Sequence, residues 1–180
     1  MKSIALFAIL ICLSSFDLFA WSSLKDFEKN QSKYKALFFL SHNCPCSKSH
    51  IEHIDSLKKA FKEVSFFGVA TDLFEESNEK EIQAHYQATN YNMPIIKDTA
   101  FHLVEKYRAL KTPHVILLEK KQDQYEVIYT GGLTNKRHFD SKSVKFLQEN
   151  LAELHAGRNV KYRRGKSLGC YIRRLWWITL

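Results

Sequence analysis

The apolar run Ala36-Leu37-Phe38-Phe39-Leu40 stops at Ser41-His42-Asn43. Beyond it, Ile51, Ile54, Leu57, Ala60 and Phe61 recur at helical spacing between Ser47 and about Lys62. The local pattern is a strand, a tight turn and an amphipathic helix. At the junction stand two cysteines separated by one proline, Cys44-Pro45-Cys46. A thiol in the first turn of a helix meets free backbone N–H groups and the positive end of the helix dipole, which stabilise its thiolate and make it a nucleophile at neutral pH. The position points to thiol redox chemistry at the end of a strand.

The alternation continues along the chain. Ser22 to Ser32 reads as a helix capped by Ser22 or Ser23. Val64 to Ala70 is a second strand, almost wholly apolar, which suits a buried parallel position. A turn over Asp72 to Ser77 leads to a polar helix from Glu79 to about Ala88, a short strand at Pro94-Ile95-Ile96 and a helix from Ala100 to Leu110. Thr112-Pro113 opens the strand Val115 to Leu118, and Gln124 to Tyr129 returns as a hairpin closed by Gly131-Gly132. A last helix runs from about Ser141 to His155, with Gly157 placed to end it. This order predicts an α/β domain whose central sheet is mixed, mainly parallel, flanked by helices and finished by an antiparallel pair.

With 180 residues the chain suits one domain with a proper core that needs no disulfide staples. Residues 1–20 have the layout of a secretory signal peptide: Lys2, an apolar stretch from Ile4 to Leu13, a more polar segment and a small residue at Ala20. The apolar stretch is too short to span a bilayer. Cleavage after Ala20 discards Cys12, leaves residues 21–157 as the domain and 158–180 as a tail, and places the protein in an oxidising compartment such as the periplasm. Cys44, Cys46 and Cys170 remain, an odd number, so one thiol is free or able to change partners.

The formal net charge is +8, and much of the excess lies in the tail, where Arg158, Lys161, Arg163, Arg164, Lys166, Arg173 and Arg174 stand without an Asp or Glu. No aromatic-interleaved motif accompanies these cations, so nucleic acid is not the expected partner. The ending Arg173-Arg174-Leu175-Trp176-Trp177-Ile178 reads either as a contact for a membrane surface or as a segment packed on the domain itself.

Five pieces in order carry a resemblance: Phe38 to Ser47, Phe67 to Asp72, Pro94 to Asp98, Thr112-Pro113-His114-Val115 and Tyr129-Thr130-Gly131-Gly132. Together they resemble the redoxins, the alkyl hydroperoxide reductase and thiol-specific antioxidant branch of the thioredoxin superfamily. The likeness covers roughly Ser32 to Ala156, and Gly169-Cys170-Tyr171-Ile172 is similar to a tail seen in exported redoxins with a distal cysteine. The resemblance implies a thioredoxin-like fold and thiol chemistry with no cofactor. Its implied partners are protein thiols and disulfides, or small thiols and peroxides. By position it makes Cys44 the attacking cysteine and Pro113 a cis-proline, with Thr112 and Pro113 facing Cys44 and presenting backbone groups to a substrate. Ser41 matches the Ser or Thr of the peroxidase motif, but Leu37 replaces that motif's proline. Ser47 stands where thioredoxins keep their second cysteine, and Phe38 where they keep a buried carboxylate.

The residues allow several chemistries. With Cys44 as nucleophile, His42 is placed to hold a proton or to lower the thiol pKa. Cys46, the nearest thiol, is the expected resolving one, with Cys170 the alternative. A disulfide between residues two apart bends away from preferred geometry and is easily reduced, whereas a tail folding back would bring Cys170 to the pair as relay partner or permanent tether. A thiol peroxidase would need a pocket that deprotonates Cys44, and the sequence assigns no arginine to it. A copper-binding carrier would use Cys44, Cys46, His50 and His53, since Cys46, His50 and His53 share one side of a helix and thiolate with imidazole suits copper or zinc.

Overall fold

The computed structural model describes residues 21–72, 79–89, 91–98 and 100–173. The leader, most of the turn expected over Asp72 to Ser77 and the end of the tail from residue 174 lie outside the described residues. In chain order the elements are α1 (Leu24–Lys29), β1 (Tyr34–Leu40), α2 (Pro45–Ser49), α3 (Ile51–Ala60), β2 (Val64–Ala70), α4 (Glu79–Ala88), β3 (Ile95–Lys97), α5 (His102–Lys106), β4 (Lys111–Thr112), β5 (His114–Lys121), β6 (Gln124–Gly131), α6 (Phe146–His155) and β7 (Cys170–Tyr171).

Strand β1 is buried at every residue because it lies mid-sheet with helices on both sides. The sheet order is β3-β2-β1-β5-β6. β1, β2 and β3 run parallel, while β5 is antiparallel to β1 and β6 antiparallel to β5. The two-residue period of a strand divides the apolar side chains between two cores. Ala36, Phe38 and Leu40 of β1 join Phe66 of β2 and Val115 and Leu117 of β5 in one core, against Ile54 and Leu57 of α3, Ile82 and Tyr86 of α4, and Leu147 and Leu151 of α6. Leu37, Phe39, Phe67, Val69, Ile116 and Leu118 point the other way, onto Phe27 of α1 and Leu103 and Val104 of α5. The expected α/β layout, a mixed sheet flanked by helices, is the one observed. No helix among the described residues is long and apolar enough to cross a membrane.

Several elements differ in extent from their sequence pattern. The helix expected from Ser47 to Lys62 breaks at His50, whose φ is −101° and ψ 0°. Its ring Nδ1 lies 2.8 Å from the Cys46 carbonyl oxygen, the acceptor a continuous helix would offer to the His50 N–H, and that N–H turns to Ser47 O at 3.1 Å instead. The helix expected over Ala100 to Leu110 keeps only His102–Lys106, because Phe101 (φ 55°) and Arg108 (φ 52°) adopt left-handed backbone on either side. Asp98 caps it, its carboxylate accepting from Leu103 N–H and from Val104 N–H at 3.0 Å. The last helix begins at Phe146 rather than Ser141. Helix α1 starts with a capping box in which Ser23 Oγ accepts from Asp26 N–H while Asp26 accepts from Ser23 N–H.

The described part of the tail packs on the domain. Arg158 pairs with Glu153 and Lys161 with Glu149. Thr130 N–H donates to Arg163 O and Gly165 N–H to Thr130 O, tying the segment along the end of β6. Gly131, with φ +155°, sits so close that an added Cβ would lie 2.2 Å from Gly165 O. From there the chain crosses the sheet end and pairs, as β7, with β4.

Candidate active site

Parallel neighbours β1 and β2 end together, Leu40 opposite Ala70, so the loops after them share one edge of the sheet. His42 and Asp72 each lie two residues beyond those ends, and they meet. His42 N–H donates to Asp72 Oδ2 at 2.7 Å, and the ring Nδ1 lies 2.5 Å from the same oxygen. His42 Nε2 and Asp72 Oδ1 are buried and, among the described residues, have no hydrogen-bond partner. The ring of His85 on α4 lies 6.0 Å from that of His42.

Cys44 is the N-cap residue of α2, with Pro45 at the first helical position, where its missing N–H costs nothing. Its side chain is 1% exposed. Opposite it, the Thr112–Pro113 peptide bond is cis, and Cys44 Sγ lies 3.2 Å from Thr112 O. Antiparallel pairing of Thr112 with Cys170 and of Lys111 with Tyr171 then delivers the tail thiol. Cys170 Sγ lies 2.6 Å from Cys44 Sγ, and the sulfurs of Cys44, Cys46 and Cys170 all lie within 4.8 Å of one another. Gly169 is required for this approach, since an added Cβ would fall 1.9 Å from Thr112 O.

The three thiols differ in acidity. Burial raises the Cys44 pKa, but contacts with the Cys170 thiol and the Thr112 side chain and backbone hydrogen bonds from Ser47 and Cys170 outweigh it and bring the thiol down to about 7. Burial and the neighbouring Cys44 sulfur hold Cys46 up. Burial, followed by the contact with Cys44, pushes Cys170 up to about 12. Cys44 is thus the sulfur that carries negative charge near neutrality, and Cys170 is the one that keeps its proton beside it. A pocket of about 290 Å³ opens onto this pair, lined by Ser41, His42, Cys44, Thr112, Cys170 and Arg173 among others.

The remaining candidates are placed as follows. Ser41 N–H faces Ser47 Oγ at 3.4 Å, so Ser47 braces the turn from the place of a thioredoxin's second cysteine. Both ring nitrogens of His50 are engaged, Nδ1 at Cys46 O and Nε2 3.1 Å from Thr134 Oγ1. The ring of His53 stacks on Phe139 at 4.7 Å. The fold thus gathers Cys170 around the Cys44–Cys46 pair, and the two histidines turn to other neighbours. Asp72 was not singled out by the sequence and becomes visible only once the strands before it and before His42 are known to be parallel neighbours. Arg173 counts in the sequence among the tail cations near Cys170, a setting that favours a thiolate there, yet Cys170 is held up to about 12.

A family model described as a domain of unknown function, DUF6436, matches residues 17–173. The chain belongs to the DUF6436 family. No curated protein matches the sequence. Among solved structures, an uncharacterized conserved protein from Geobacillus kaustophilus superposes with a TM-score of 0.67 at 20% identity, covering 79% of this chain and 78% of that one. A hypothetical protein from Sinorhizobium meliloti 1021 also gives 0.67 at 20% identity, over 83% and 82%. StoA from Bacillus subtilis gives 0.49 at 22% identity, over 57% and 75%. The fold of this DUF6436 member is thioredoxin-like, with Cys44 and cis-Pro113 facing each other at the sheet's end.

Proposed function

We propose that this chain is an exported thiol:disulfide oxidoreductase of the redoxin kind, with Cys44 as nucleophile and Cys170 as resolving thiol. The observation that carries the reading is the 2.6 Å approach of Cys170 Sγ to Cys44 Sγ, held by strand pairing beside cis-Pro113. The Cys44 thiolate attacks one sulfur of a substrate disulfide, forming a mixed disulfide and releasing the first substrate thiolate, which takes a proton. Cys170 gives up its proton and attacks Cys44 Sγ, forming the Cys44–Cys170 disulfide and releasing the second substrate thiolate. The substrate gains two electrons, the protein loses two, and the reverse sequence oxidises a dithiol. Cys46, within 4.8 Å of both, is the third sulfur through which the bond can shift. Protein thiols and disulfides are the expected partners, and Thr112 and Pro113 the expected docking residues.

A second reading, thiol peroxidase, is favoured by Arg173 and by the His42–Asp72 pair lining the same pocket as Cys44. There the thiolate attacks one peroxide oxygen, the O–O bond breaks and the second oxygen leaves as hydroxide, which takes a proton to become water; the sulfenic acid formed on Cys44 is attacked by Cys170, giving the disulfide and a second water. Rapid mixing of the reduced protein with hydrogen peroxide and, separately, with a small disulfide tests the choice. Ready exchange with slow peroxide consumption is the expected result. Peroxide consumption much faster than disulfide exchange replaces the first reading by the second, and inertness to both overturns the proposal.

A further inference from the structure

We propose that the reduced protein binds one thiophilic monovalent ion, with Cu(I) as its probe, on the sulfurs of Cys44, Cys46 and Cys170. The inference goes beyond the exchange reaction and does not depend on it. Three sulfurs converge here, from the N-cap of α2, the first turn of α2 and the tail strand β7, where a single disulfide needs two. An ion bound by three sulfurs in a plane at about 2.3 Å holds them about 4.0 Å apart. The separations present, 2.6 Å between Cys44 and Cys170 and none above 4.8 Å, bracket that value. Closing the site requires the Cys44–Cys170 edge to widen, a side-chain adjustment within β7's reach.

The donor set is sulfur alone. Among the described residues no histidine or carboxylate joins the group. Both ring nitrogens of His50 and of His114 are engaged, His50 by Cys46 O and Thr134 and His114 by Ser167 Oγ at 2.6 Å and Thr130 Oγ1 at 3.1 Å, while His42, bound to Asp72 through Nδ1 and unpartnered at Nε2 among the described residues, stands outside the three-sulfur group. Zinc needs a fourth ligand, a further side chain or a water, and among the described residues no side chain supplies one; magnesium or calcium takes oxygen. Three soft thiolates without a fourth ligand suit a soft ion of low coordination number. This set replaces the two-cysteine, two-histidine set that helical spacing alone suggests. The pocket at Cys44 and Cys170 gives the ion its path from solvent and the displaced thiol protons their path out. Because the Cys44–Cys170 disulfide removes two ligands, the ion and the disulfide exclude each other.

The test is a titration of the reduced full chain, carrying Cys12→Ser to remove the leader thiol, with Cu(I) supplied from a chromophoric chelator under anaerobic conditions. X-ray absorption at the copper edge follows. One equivalent should be withdrawn from the chelator, with three sulfur neighbours and no nitrogen. Each of Cys44→Ser, Cys46→Ser and Cys170→Ser should weaken retention by at least tenfold, and oxidation to the disulfide should release the ion. Nitrogen in the first coordination sphere, retention unchanged in Cys46→Ser, or preference for Zn(II) over Cu(I) overturns the inference. Disulfide exchange measured on the same sample keeps the two ideas apart: exchange without copper retention removes only the ion site, and copper retention without exchange removes only the oxidoreductase reading.

Discussion

At the scale of single residues, the chemistry rests on the unequal acidity of three neighbouring thiols. Cys44 is buried, which by itself disfavours a thiolate; the contacts from Cys170, Thr112 and the helix start reverse that and set its pKa at about 7. Alkylation of Cys44 in the reduced protein should therefore rise with pH around a midpoint near 7, while Cys170, held up to about 12, stays slow. Cys170→Ala removes the main favourable contact, so the Cys44 midpoint should move upward and alkylation at pH 7 should slow by roughly tenfold, about 1.4 kcal/mol. An unchanged midpoint would locate the cause in Thr112 and the helix start. In sequence the strand-turn-helix pattern placed the cysteine pair at the start of a helix, and the resemblance to redoxins made Cys44 the expected nucleophile. The pattern could not mark Asp72, because nothing local links His42 to a carboxylate 30 residues away.

Among the elements, the tail strand decides what the site is. Long apolar strands and helices announce themselves by period, and β2 and α4 span the residues their patterns predicted. Strand β7 has two residues, Cys170–Tyr171, and no periodicity to read. Its place is fixed by backbone pairing with β4, by Ile172 N–H donating to Leu110 O, and by the absent side chain of Gly169. The break of the Ser47 to Lys62 helix was equally hidden, since it arises from the His50 ring competing for the Cys46 carbonyl. Gly169→Val places a side chain into Thr112 O, so β7 should lift off β4 and carry Cys170 away from Cys44. The expected outcome is loss of the Cys44–Cys170 crosslink, read by peptide mass mapping, with global stability lowered by only about 1–2 kcal/mol. An intact crosslink in that variant would mean the tail is held by its other contacts, from Arg158 to Ser167.

Taken whole, the molecule is a two-sided sheet whose buried histidines make its stability depend on pH. Burial holds His114 down to about 4, and burial with a smaller effect of His50 does the same for His53. In the unfolded chain both titrate near 6.5. Between about 4 and 6.5 the unfolded state binds more protons than the folded one, so stability is complete above this window and declines as pH falls through it. The slope is at most ~1.4 kcal/mol per pH unit for each histidine. Urea unfolding midpoints at pH 7, 5.5 and 4.5 should descend in that order, and a flat series would contradict the burial of these rings. The α/β layout was legible from the order of strands and helices, whereas the gathering of three cysteines from positions 44, 46 and 170 depends on the tail's path across the sheet end. The most direct test of the whole account is peptide mass mapping of the protein after mild oxidation, which asks which cysteines become bonded. A Cys44–Cys170 disulfide should form first, with Cys46 still a thiol; a Cys44–Cys46 bond with Cys170 left free would show that the tail thiol is not the resolving one.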